Sequence, residues 1–393
     1  MKSIRVREGK ERSLLRRHPW VFEGSIAKGR ADAGETVRVE AHDGRFLAWA
    51  AFSPSSQIRV RAWSFDEADR IDEAFFAGRV QRAVALRQRL GVASNGVRLV
   101  HGEADGLPGL IVDRYADVLC AQFLSAGTER WREPIADALM AATGAARLYE
   151  RSDSGVRNLE GLPPRTGWLR GEGATELVID EHGWRLTLDV ASGHKTGYYL
   201  DQRDNRALFA TLVRQLGSRR VLNCYAYTGG FSVAALAGGA AEVTSVDSSA
   251  PALERACAHV RLNGFDESRH TAADADVNAF LRECLKAGRR FDAIVLDPPK
   301  FAPSAAHADR ASRAYKDINR LAFKLLEPGA LLLTFSCSGG IGAELFHKIV
   351  AGAAMDAQAD GAILRRLEGA PDHPTTMCFP EGEYLKGLAV LKA

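Results

Sequence analysis

Two short segments of the chain carry side chains that could do chemistry together. Asp297 opens the run Asp-Pro-Pro-Lys-Phe, and Cys337 lies between two serines. Two successive prolines remove two backbone donors and keep the preceding residue extended, so this loop presents a carboxylate and carbonyl oxygens to a flat substrate. A cysteine thiolate could add to C6 of a cytosine and make C5 nucleophilic toward a methyl group. The pattern predicts Asp297 and Cys337 as catalytic, with a plain turn as the alternative for the Asp-Pro-Pro loop. It predicts four further residues as substrate contacts: Pro298, Pro299, Lys300 and Phe301.

Cysteine usage distinguishes Cys337 from the other thiols. The chain has six cysteines, far apart and without a CxxC pair, which is unlike a zinc site or a redox dithiol and indicates a reduced protein. No metal is predicted. Free cysteines are most often small buried hydrophobic residues, and five are predicted to be inert: Cys120, Cys224, Cys257, Cys284 and Cys378. Cys337 alone combines a small-residue loop with the end of an apolar strand, and a structural thiol is the alternative.

A glycine-containing loop and an acidic residue indicate a nucleoside cofactor. Gly229-Gly230 follows the predicted strand 220–223 and lets the backbone turn tightly and approach a ligand. The loop matches neither GxGxxG nor GxxxxGKS, which disfavours a dinucleotide and excludes a P-loop. Asp247 ends the next predicted strand, where a carboxylate could accept from both hydroxyls of a ribose. A nucleoside without a pyrophosphate points to S-adenosylmethionine, and a structural turn with a capping Asp is the alternative.

These candidate residues are all predicted at the carboxyl ends of parallel strands. From about residue 196 onward, helices alternate with apolar strands, among them 220–223, 242–247, 291–296 and 330–335. Such alternation is typical of a doubly wound parallel sheet with helices on both faces. Ligands bind these sheets beyond the carboxyl ends of the strands. The loops that carry the candidate residues should therefore meet at one edge of the sheet.

The first half of the chain follows different patterns. Alternating β segments at 36–39, 46–52 and 58–63, separated by Gly and Pro, predict a small barrel or sandwich. Residues 71–91 have a helical period, and the segments after them predict a compact α+β module with no parallel-sheet rhythm. The chain is thus predicted to be a multidomain α/β protein with three domains: 1–70, 71–190 and 191–393.

Composition and charge exclude several classes of protein. The chain has 393 residues, 46% hydrophobic and 26% charged, which suits two or three packed domains and excludes a disordered chain. A net charge of +3 permits a nucleic-acid partner. The first 30 residues hold nine basic and three acidic side chains, so Arg16 and Arg17 are predicted to contact RNA phosphates, with a solvated face as the alternative. Without an apolar leader or a membrane-length apolar stretch, the chain is predicted to be cytoplasmic.

Longer stretches carry a family resemblance. Segments 222–232, 296–301 and 334–339 closely resemble the bacterial ribosomal large subunit methyltransferase I family, which methylates C5 of a cytosine in 23S rRNA. Residues 13–22 resemble that family's N-terminal PUA domain, and residues 102–110 resemble its central domain. The segment at 194–203 resembles the entry to its methyltransferase domain. The resemblance covers nearly the whole chain and implies a PUA β-barrel, a central α+β domain and a Rossmann-like class I methyltransferase domain.

The resemblance also implies roles for individual residues. One group would hold the methionine part of S-adenosylmethionine or close its pocket: Thr196, Gln202, Arg203, Tyr227, Thr228, Gly229 and Gly230. Asp247 would hold the ribose. Asp274 and Asp276 are both candidates for the adenine contact, and Asp276 is preferred because it directly precedes a predicted helix. Asp297 would orient the cytosine ring.

Partner and mechanism follow from the same resemblance. It implies 23S rRNA as the partner, allows a homodimer, and implies neither a membrane nor a metal. Other RNA cytosine-C5 methyltransferases carry a second cysteine in the Asp-Pro-Pro region, where this chain has Pro298-Pro299-Lys300; the base that removes the C5 proton is therefore unassigned. Two other functions stay open: an RNA methyltransferase acting on exocyclic amines, with Cys337 idle, and a non-catalytic RNA-binding assembly factor.

Overall fold

The chain is folded into two compact units. The structure is a computed structural model and describes residues 2–301 and 308–393. One unit contains residues 2–181, Leu188–Leu200 and Pro371–Gly382, and the other contains His182–Thr187, Asp201–Ala370 and Glu383–Ala393. The domain division at residues 70 and 190 stays a prediction. Among the described residues, no helix combines the length and apolar character needed to cross a bilayer.

Residues 2–64 of the first unit form a six-stranded sheet with one short helix, α1 (Arg12–Leu15). Its strands are β1 (Ser3–Val6), β2 (Trp20–Phe22), β3 (Ile26–Lys28), β4 (Thr36–Glu40), β5 (Phe46–Phe52) and β6 (Ile58–Ser64). They lie in the order β2-β6-β5-β4-β1-β3, with β1 and β4 parallel. Alternate residues of β4, Val37 and Val39, are buried, as a period of two predicts for a strand with one covered face. The three strands predicted here are confirmed.

The second part of the first unit is a five-stranded sheet with helices. Its elements are α2 (Glu73–Leu90), β7 (Gly96–His101), β8 (Leu110–Tyr115), β9 (Val118–Phe123), α3 (Ala126–Arg130), α4 (Arg132–Thr143), β10 (Arg147–Ser152), α5 (Val156–Leu159) and β11 (Arg165–Arg170). Helix α2 begins where the Asp72 side chain accepts the Phe75 N–H (3.1 Å) and ends at Gly91, whose φ is 58°. Strands β9 and β10 are parallel. The sequence analysis found no parallel-sheet rhythm in this module and so did not predict this pair, for which α3 and α4 form the crossover.

The two sheets of the first unit share a hydrophobic core. Ala51 of β5 and Trp63 of β6 belong to the same buried cluster as Phe76 and Val80 of α2. The Trp63 ring meets the Phe76 ring edge to face, with centroids 5.1 Å apart. The N-terminal sheet and helix α2 are therefore packed as one body.

A seven-stranded sheet organises the second unit. After β12 (Glu176–Glu181) and β13 (Trp184–Asp189), its strands are β14 (Arg220–Cys224), β15 (Glu242–Asp247), β16 (His270–Asp274), β17 (Phe291–Leu296), β18 (Leu326–Ser336), β19 (Gly361–Glu368) and β20 (Lys386–Lys392). Its helices are α6 (Arg203–Leu216), α7 (Gly230–Ala237), α8 (Ala250–Leu262), α9 (Val277–Lys286), α10 (Ala308–Leu325) and α11 (Ala343–Asp356). Strands β14 to β18 pair in parallel, which confirms the predicted doubly wound sheet.

Both faces of this sheet are buried, as continuous apolar strands predict. Leu222, Ile294 and Leu332 belong to one core cluster. Their immediate neighbours Val221, Val295 and Leu333 belong to the other. Two hydrophobic layers thus hold the strands rigidly, and the loops at their ends start from fixed positions.

The order of strands, β16-β15-β14-β17-β18-β20-β19, places a crevice at the edge where the candidate residues lie. Because β14 pairs with β15 on one side and with β17 on the other, the connections diverge there, and ligands bind at such points in open α/β sheets. Strand β20 is antiparallel and lies between β18 and β19. The strand-helix rhythm did not predict this C-terminal pair.

Candidate functional site

The backbone register brings the predicted loops to one edge of the sheet. Cys224 pairs with Val246 on one side and with Leu296 on the other, and Leu296 pairs with Thr334. The residues that follow these four positions therefore emerge side by side. The glycine-containing loop, Asp247, the Asp-Pro-Pro loop and Cys337 all belong to this edge.

The loop after β14 has an unusual backbone. Tyr225, Tyr227 and Gly229 all have positive φ, at 58°, 48° and 76°. Such angles are costly for residues with a side chain, and they persist where the surroundings impose them. Gly229 is required for a second reason, because a Cβ at this position would lie 2.7 Å from Cβ of Ala256. The loop therefore turns sharply into helix α7, which starts at Gly230.

Asp247 holds this loop from the neighbouring strand. Its Oδ2 accepts the N–H of Tyr227 (2.8 Å), and its Oδ1 accepts the N–H of Ser249 (3.0 Å). Each carboxylate oxygen keeps a further lone pair, and the side chain is only half-buried. A fixed, partly accessible carboxylate is suited to the two hydroxyls of a ribose.

His259 of helix α8 also holds this loop, a role that the sequence did not predict. Its Nε2 accepts the backbone N–H of Thr187 (2.8 Å), so the ring proton is on Nδ1, which donates to the carbonyl of Thr228 (2.7 Å). Burial lowers the pKa of His259 to about 4, although the hydrogen bond to the Thr228 carbonyl opposes the shift. The ring is therefore neutral. A lone histidine on a helix carries no sequence signal for this role.

The loop also contains a buried polar atom that fits a polar ligand. Thr228 is 5% exposed, and its Oγ1 has no hydrogen-bond partner within the described parts of the chain. A buried hydroxyl without a partner costs about 1–3 kcal/mol. Together with Asp247, this hydroxyl gives a donor and acceptor set that suits a nucleoside cofactor such as S-adenosylmethionine.

The structure places Gln202 and Asp297 in contact. The Gln202 amide donates to Oδ2 of Asp297 (3.0 Å), and Asn205 donates to Oε1 of Gln202 (2.6 Å). Gln202 thus orients the carboxylate of the Asp-Pro-Pro loop, a link that sequence reasoning did not predict. Arg203, the first residue of α6, is fully buried, with Nε 3.4 Å from Oδ1 of Asp204. The cofactor roles of Gln202 and Arg203 stay predictions.

Other predicted residues have partners of their own. Thr196 belongs to the first unit, where its buried hydroxyl contacts Tyr115 (2.9 Å) and donates to Asp113. Asp276 caps helix α9 by accepting the Ala279 N–H (2.8 Å), and Asp274 lies beside Asp247 in the strand register. The choice between the two aspartates for an adenine contact therefore stays open, as does the role of Thr196.

Arg16 and Arg17 are both exposed directly after helix α1 of the first unit. Arg17 has a φ of 61°. Their predicted contact with RNA remains a prediction.

Cys337 lies at the mouth of the site. It follows the last residue of β18, is half-buried, and has Sγ 3.9 Å from the carbonyl of Pro298. Pro299 and Lys300 are exposed on the same loop. Cys224 differs from Cys337, because it is fully buried and burial raises the pKa of its thiol.

Lys386 is a second residue that the sequence analysis missed. It pairs with Ser336 in the register of β20 and β18, and its Nζ donates to the carbonyl of Ser338 (2.8 Å). Burial lowers the pKa of Lys386, and the ammonium is close enough to Cys337 for the two charges to interact. An antiparallel strand from the far end of the chain thus brings a cation to the candidate nucleophile.

Phe301 closes the far side of the Asp-Pro-Pro loop. Its ring centroid is 4.8 Å from that of Tyr315 on α10 and 6.5 Å from that of Tyr225. The Tyr315 hydroxyl lies 3.0 Å from Oγ of Ser338. Aromatic packing therefore connects the three loops around Cys337.

Comparisons with known proteins agree with this geometry. Residues 162–385 match the family model of S-adenosylmethionine-dependent methyltransferases, and residues 4–65 match a PUA-like domain. The ribosomal RNA large subunit methyltransferase I of Shewanella denitrificans is 49% identical over 391 residues, or 98% of each chain. The protein of the same name from Shewanella amazonensis is 50% identical over 390 residues, again 98% of each chain. A solved structure from Streptococcus mutans, described as a SAM-dependent methyltransferase, covers all of both chains with a TM-score of 0.85 at 21% identity and shows the fold.

Replacing Asp247 should weaken cofactor binding. Asp247→Ala removes a charged acceptor for the ribose hydroxyls and the hydrogen bond that Asp247 accepts from the Tyr227 N–H. Hydrogen bonds to charged groups are worth about 1.5–3 kcal/mol, so the Kd for S-adenosylmethionine should rise roughly tenfold or more. Calorimetry on the folded variant measures this, with Glu254→Ala on the exposed face of α8 as the control. Wild-type affinity in the Asp247 variant would contradict the assignment.

His259 should make the second unit less stable in acid. The unfolded chain takes up a proton near the ordinary pKa of about 6.5, whereas the folded ring does so only near pH 4. Stability therefore falls as the pH drops from about 6.5 to about 4, by about 3 kcal/mol from this residue. His259→Gln should lose this part of the pH dependence in urea unfolding, while His42→Gln, at an exposed position, should keep it. Identical pH profiles for wild type and His259→Gln would contradict the assignment of His259 as a neutral, buried ring that holds the loop.

Proposed function

Because the chain belongs to the ribosomal RNA large subunit methyltransferase I family, we propose that it methylates C5 of a cytosine in 23S rRNA. Family membership rests on close relatives over 98% of the chain and on the S-adenosylmethionine-dependent methyltransferase model over residues 162–385. The observation that carries the proposal is the position of Cys337, half-buried at a strand end and 3.9 Å from the Asp-Pro-Pro loop. A cytosine-C5 methyltransferase needs a thiol in this place, and an amine methyltransferase does not.

The cofactor would be held by residues that already have fixed geometry. When bound, S-adenosylmethionine supplies an electrophilic methyl group. Asp247 would accept from its ribose hydroxyls, and the Thr228 hydroxyl would gain the hydrogen bond that it lacks within the described chain. The left-handed turn at Tyr227 and Gly229 would let the backbone approach the cofactor. These residues need little rearrangement to bind, which favours affinity.

Cys337 would provide covalent catalysis. Its thiolate forms a bond to C6 of the cytosine, and the electrons of the C5–C6 double bond shift so that C5 becomes nucleophilic. After C5 has received the methyl group, for which S-adenosylhomocysteine would be the leaving group, a base takes the C5 proton, the double bond re-forms and the Sγ–C6 bond breaks. The enzyme thus regains its thiolate, and no oxidant or reductant is consumed.

Asp297 and Lys386 would support this chemistry by different means. The Gln202 amide donates to Oδ2 of Asp297 (3.0 Å), and this contact would fix the orientation of the carboxylate when the loop binds a flat base. Lys386, fixed on the Ser338 carbonyl (2.8 Å), carries a positive charge beside Cys337. A nearby cation favours the thiolate, which is the reactive form of a cysteine.

Cys337→Ser should abolish nearly all methyl transfer while leaving the fold and cofactor binding intact. A hydroxyl resembles a thiol in shape but ionises far less readily than a thiol with its ordinary pKa of about 8.5, so little nucleophilic anion forms. Wild-type protein should also form a covalent adduct with rRNA that contains 5-fluorocytosine, because fluorine cannot leave as a proton. Denaturing electrophoresis detects the adduct.

The control for this experiment is Cys257→Ser, since Cys257 is also half-buried in the second unit. The adduct should persist in Cys257→Ser and vanish in Cys337→Ser. If Cys337→Ser methylates at the wild-type rate, the covalent mechanism fails. Nucleoside analysis that finds a methylated exocyclic amine would then support the amine-methylating alternative.

Lys386→Gln should slow methylation most at neutral pH. Without the neighbouring cation, less of the cysteine is ionised, and the loss of a nearby opposite charge changes such an equilibrium by roughly 10-fold or more. The pH–rate profile should therefore move to higher pH, with kcat falling about tenfold at pH 7 and much less at pH 9. Lys386→Arg, which keeps the charge, should recover most of the rate. A profile of unchanged shape in Lys386→Gln would argue against an electrostatic role.

A further inference from the structure

A cleft of about 370 Å³ lies within the first unit, outside the methyl-transfer site. Two segments that carry the family resemblance, 13–22 and 102–110, take no part in the methyl transfer described above. Both contribute residues to the wall of this cleft. Arg17 comes from the first and Pro108 from the second. Its volume is within the range of small-ligand sites in proteins.

Arg79 of helix α2 is held rigidly in this cleft. Its Nη2 donates to the carbonyl of Trp63 (3.2 Å), and its guanidinium lies 4.9 Å above the ring of Phe75. A Cβ at Gly106 would overlap Nη1, so the guanidinium rests against bare backbone there. Its Nε is buried and has no hydrogen-bond partner among the described residues. Arg79 is therefore a preorganised donor with unused capacity.

The cleft has an excess of positive charge. Three arginines line it, and in residues 2–301 and 308–393 none of them forms an ion pair: Arg17, Arg79 and Arg82. The acidic residues of the wall have other partners, since Asp105 is bonded to Arg87 (2.5 and 2.9 Å) and Glu103 accepts from the Trp20 indole (2.8 Å). Burial and the like charge of Arg82 lower the pKa of the Arg79 guanidinium, and the charge of Asp69 only partly opposes this shift. Because both carboxylates of the wall are bonded to other side chains, the three arginines favour an anionic ligand.

An apolar surface adjoins these cations. Phe65 is half-buried and Leu86 is 39% exposed, and both line the cleft. A flat base packs well on such side chains, and a phosphate matches the planar donors of arginine. The combination suits a nucleotide within a strand better than an acidic peptide, which has carboxylates but no rings beside them.

We propose that this cleft binds a nucleotide of single-stranded RNA outside the target cytosine, with its phosphate on Arg79 and Arg82 and its base against Phe65 and Leu86. The inference rests on the proposed function, because an RNA substrate is what brings a phosphodiester to this surface. Phosphate contacts of this kind position an RNA without selecting its sequence. The cleft would hold the substrate while the second unit performs the chemistry.

Binding of a labelled 12-nucleotide oligouridylate to the full-length protein tests the proposal. Arg79→Gln and Arg82→Gln should each weaken binding about tenfold at low salt. Each should also reduce the slope of log K against log salt by about 0.7, the loss of one phosphate contact on a single strand. Arg89→Gln is the control, because Arg89 is exposed on the same helix but outside the cleft. Arg82 is exposed, so its variant keeps the test valid even if Arg79→Gln unfolds.

Methyl transfer to rRNA separates this proposal from the proposed function. If both hold, wild type forms 5-methylcytosine, and Arg82→Gln raises the KM for rRNA while kcat is unchanged. Wild-type affinity and salt slope in both cleft variants, with normal 5-methylcytosine formation by wild type, would overturn the cleft and leave the proposed function standing. Competition of the oligouridylate by a short polyglutamate peptide, with the same loss in the variants, would instead assign the cleft to an acidic protein.

Discussion

The site depends on a left-handed turn of the backbone after the first parallel strand. Tyr225 and Tyr227 have positive φ angles that residues with a side chain rarely adopt, and two side chains on other elements hold the loop in this conformation. Asp247 accepts the N–H of Tyr227 from the neighbouring strand, and His259 donates to the carbonyl of Thr228 from helix α8. Since a backbone donor and a backbone acceptor are both occupied, the loop cannot relax. The cofactor surface is thus built before any ligand binds.

The part of the site around Cys337 depends on strand pairing in the same way. Strand β18 delivers Cys337, and its two neighbours supply what surrounds the thiol. On one side β17 leads into Asp297 and Pro298, and on the other the antiparallel strand β20 places Lys386 opposite Ser336. Buried strands with hydrophobic layers on both faces allow little movement. Sheet register therefore fixes the positions from which the loops around Cys337 start.

In the first unit, hydrophobic packing joins the N-terminal sheet to the module that follows it. Trp63 and Ala51 of the N-terminal sheet share a core with helix α2, so the PUA-like sheet and the following module form one surface. Arg79 depends on this arrangement, because its guanidinium is bonded to the carbonyl of Trp63 and stacked on Phe75. A cationic cleft can thus exist between segments that are far apart in sequence. Its arginines remain without carboxylate partners among the described residues, while the acidic side chains beside them are bonded elsewhere.

The sequence by itself determined the doubly wound sheet and the group of residues at its edge. Apolar strands that alternate with helices leave few alternatives, and parallel strands bring all their carboxyl ends together. The loop that contains Gly229 could therefore be grouped with Asp247, Asp297 and Cys337 without coordinates. Only the tertiary structure decided which other side chains touch them. Gln202, His259 and Lys386 reach the site through contacts across 95, 31 and 48 residues of chain, and such contacts depend on strand register and helix packing, which local patterns do not encode.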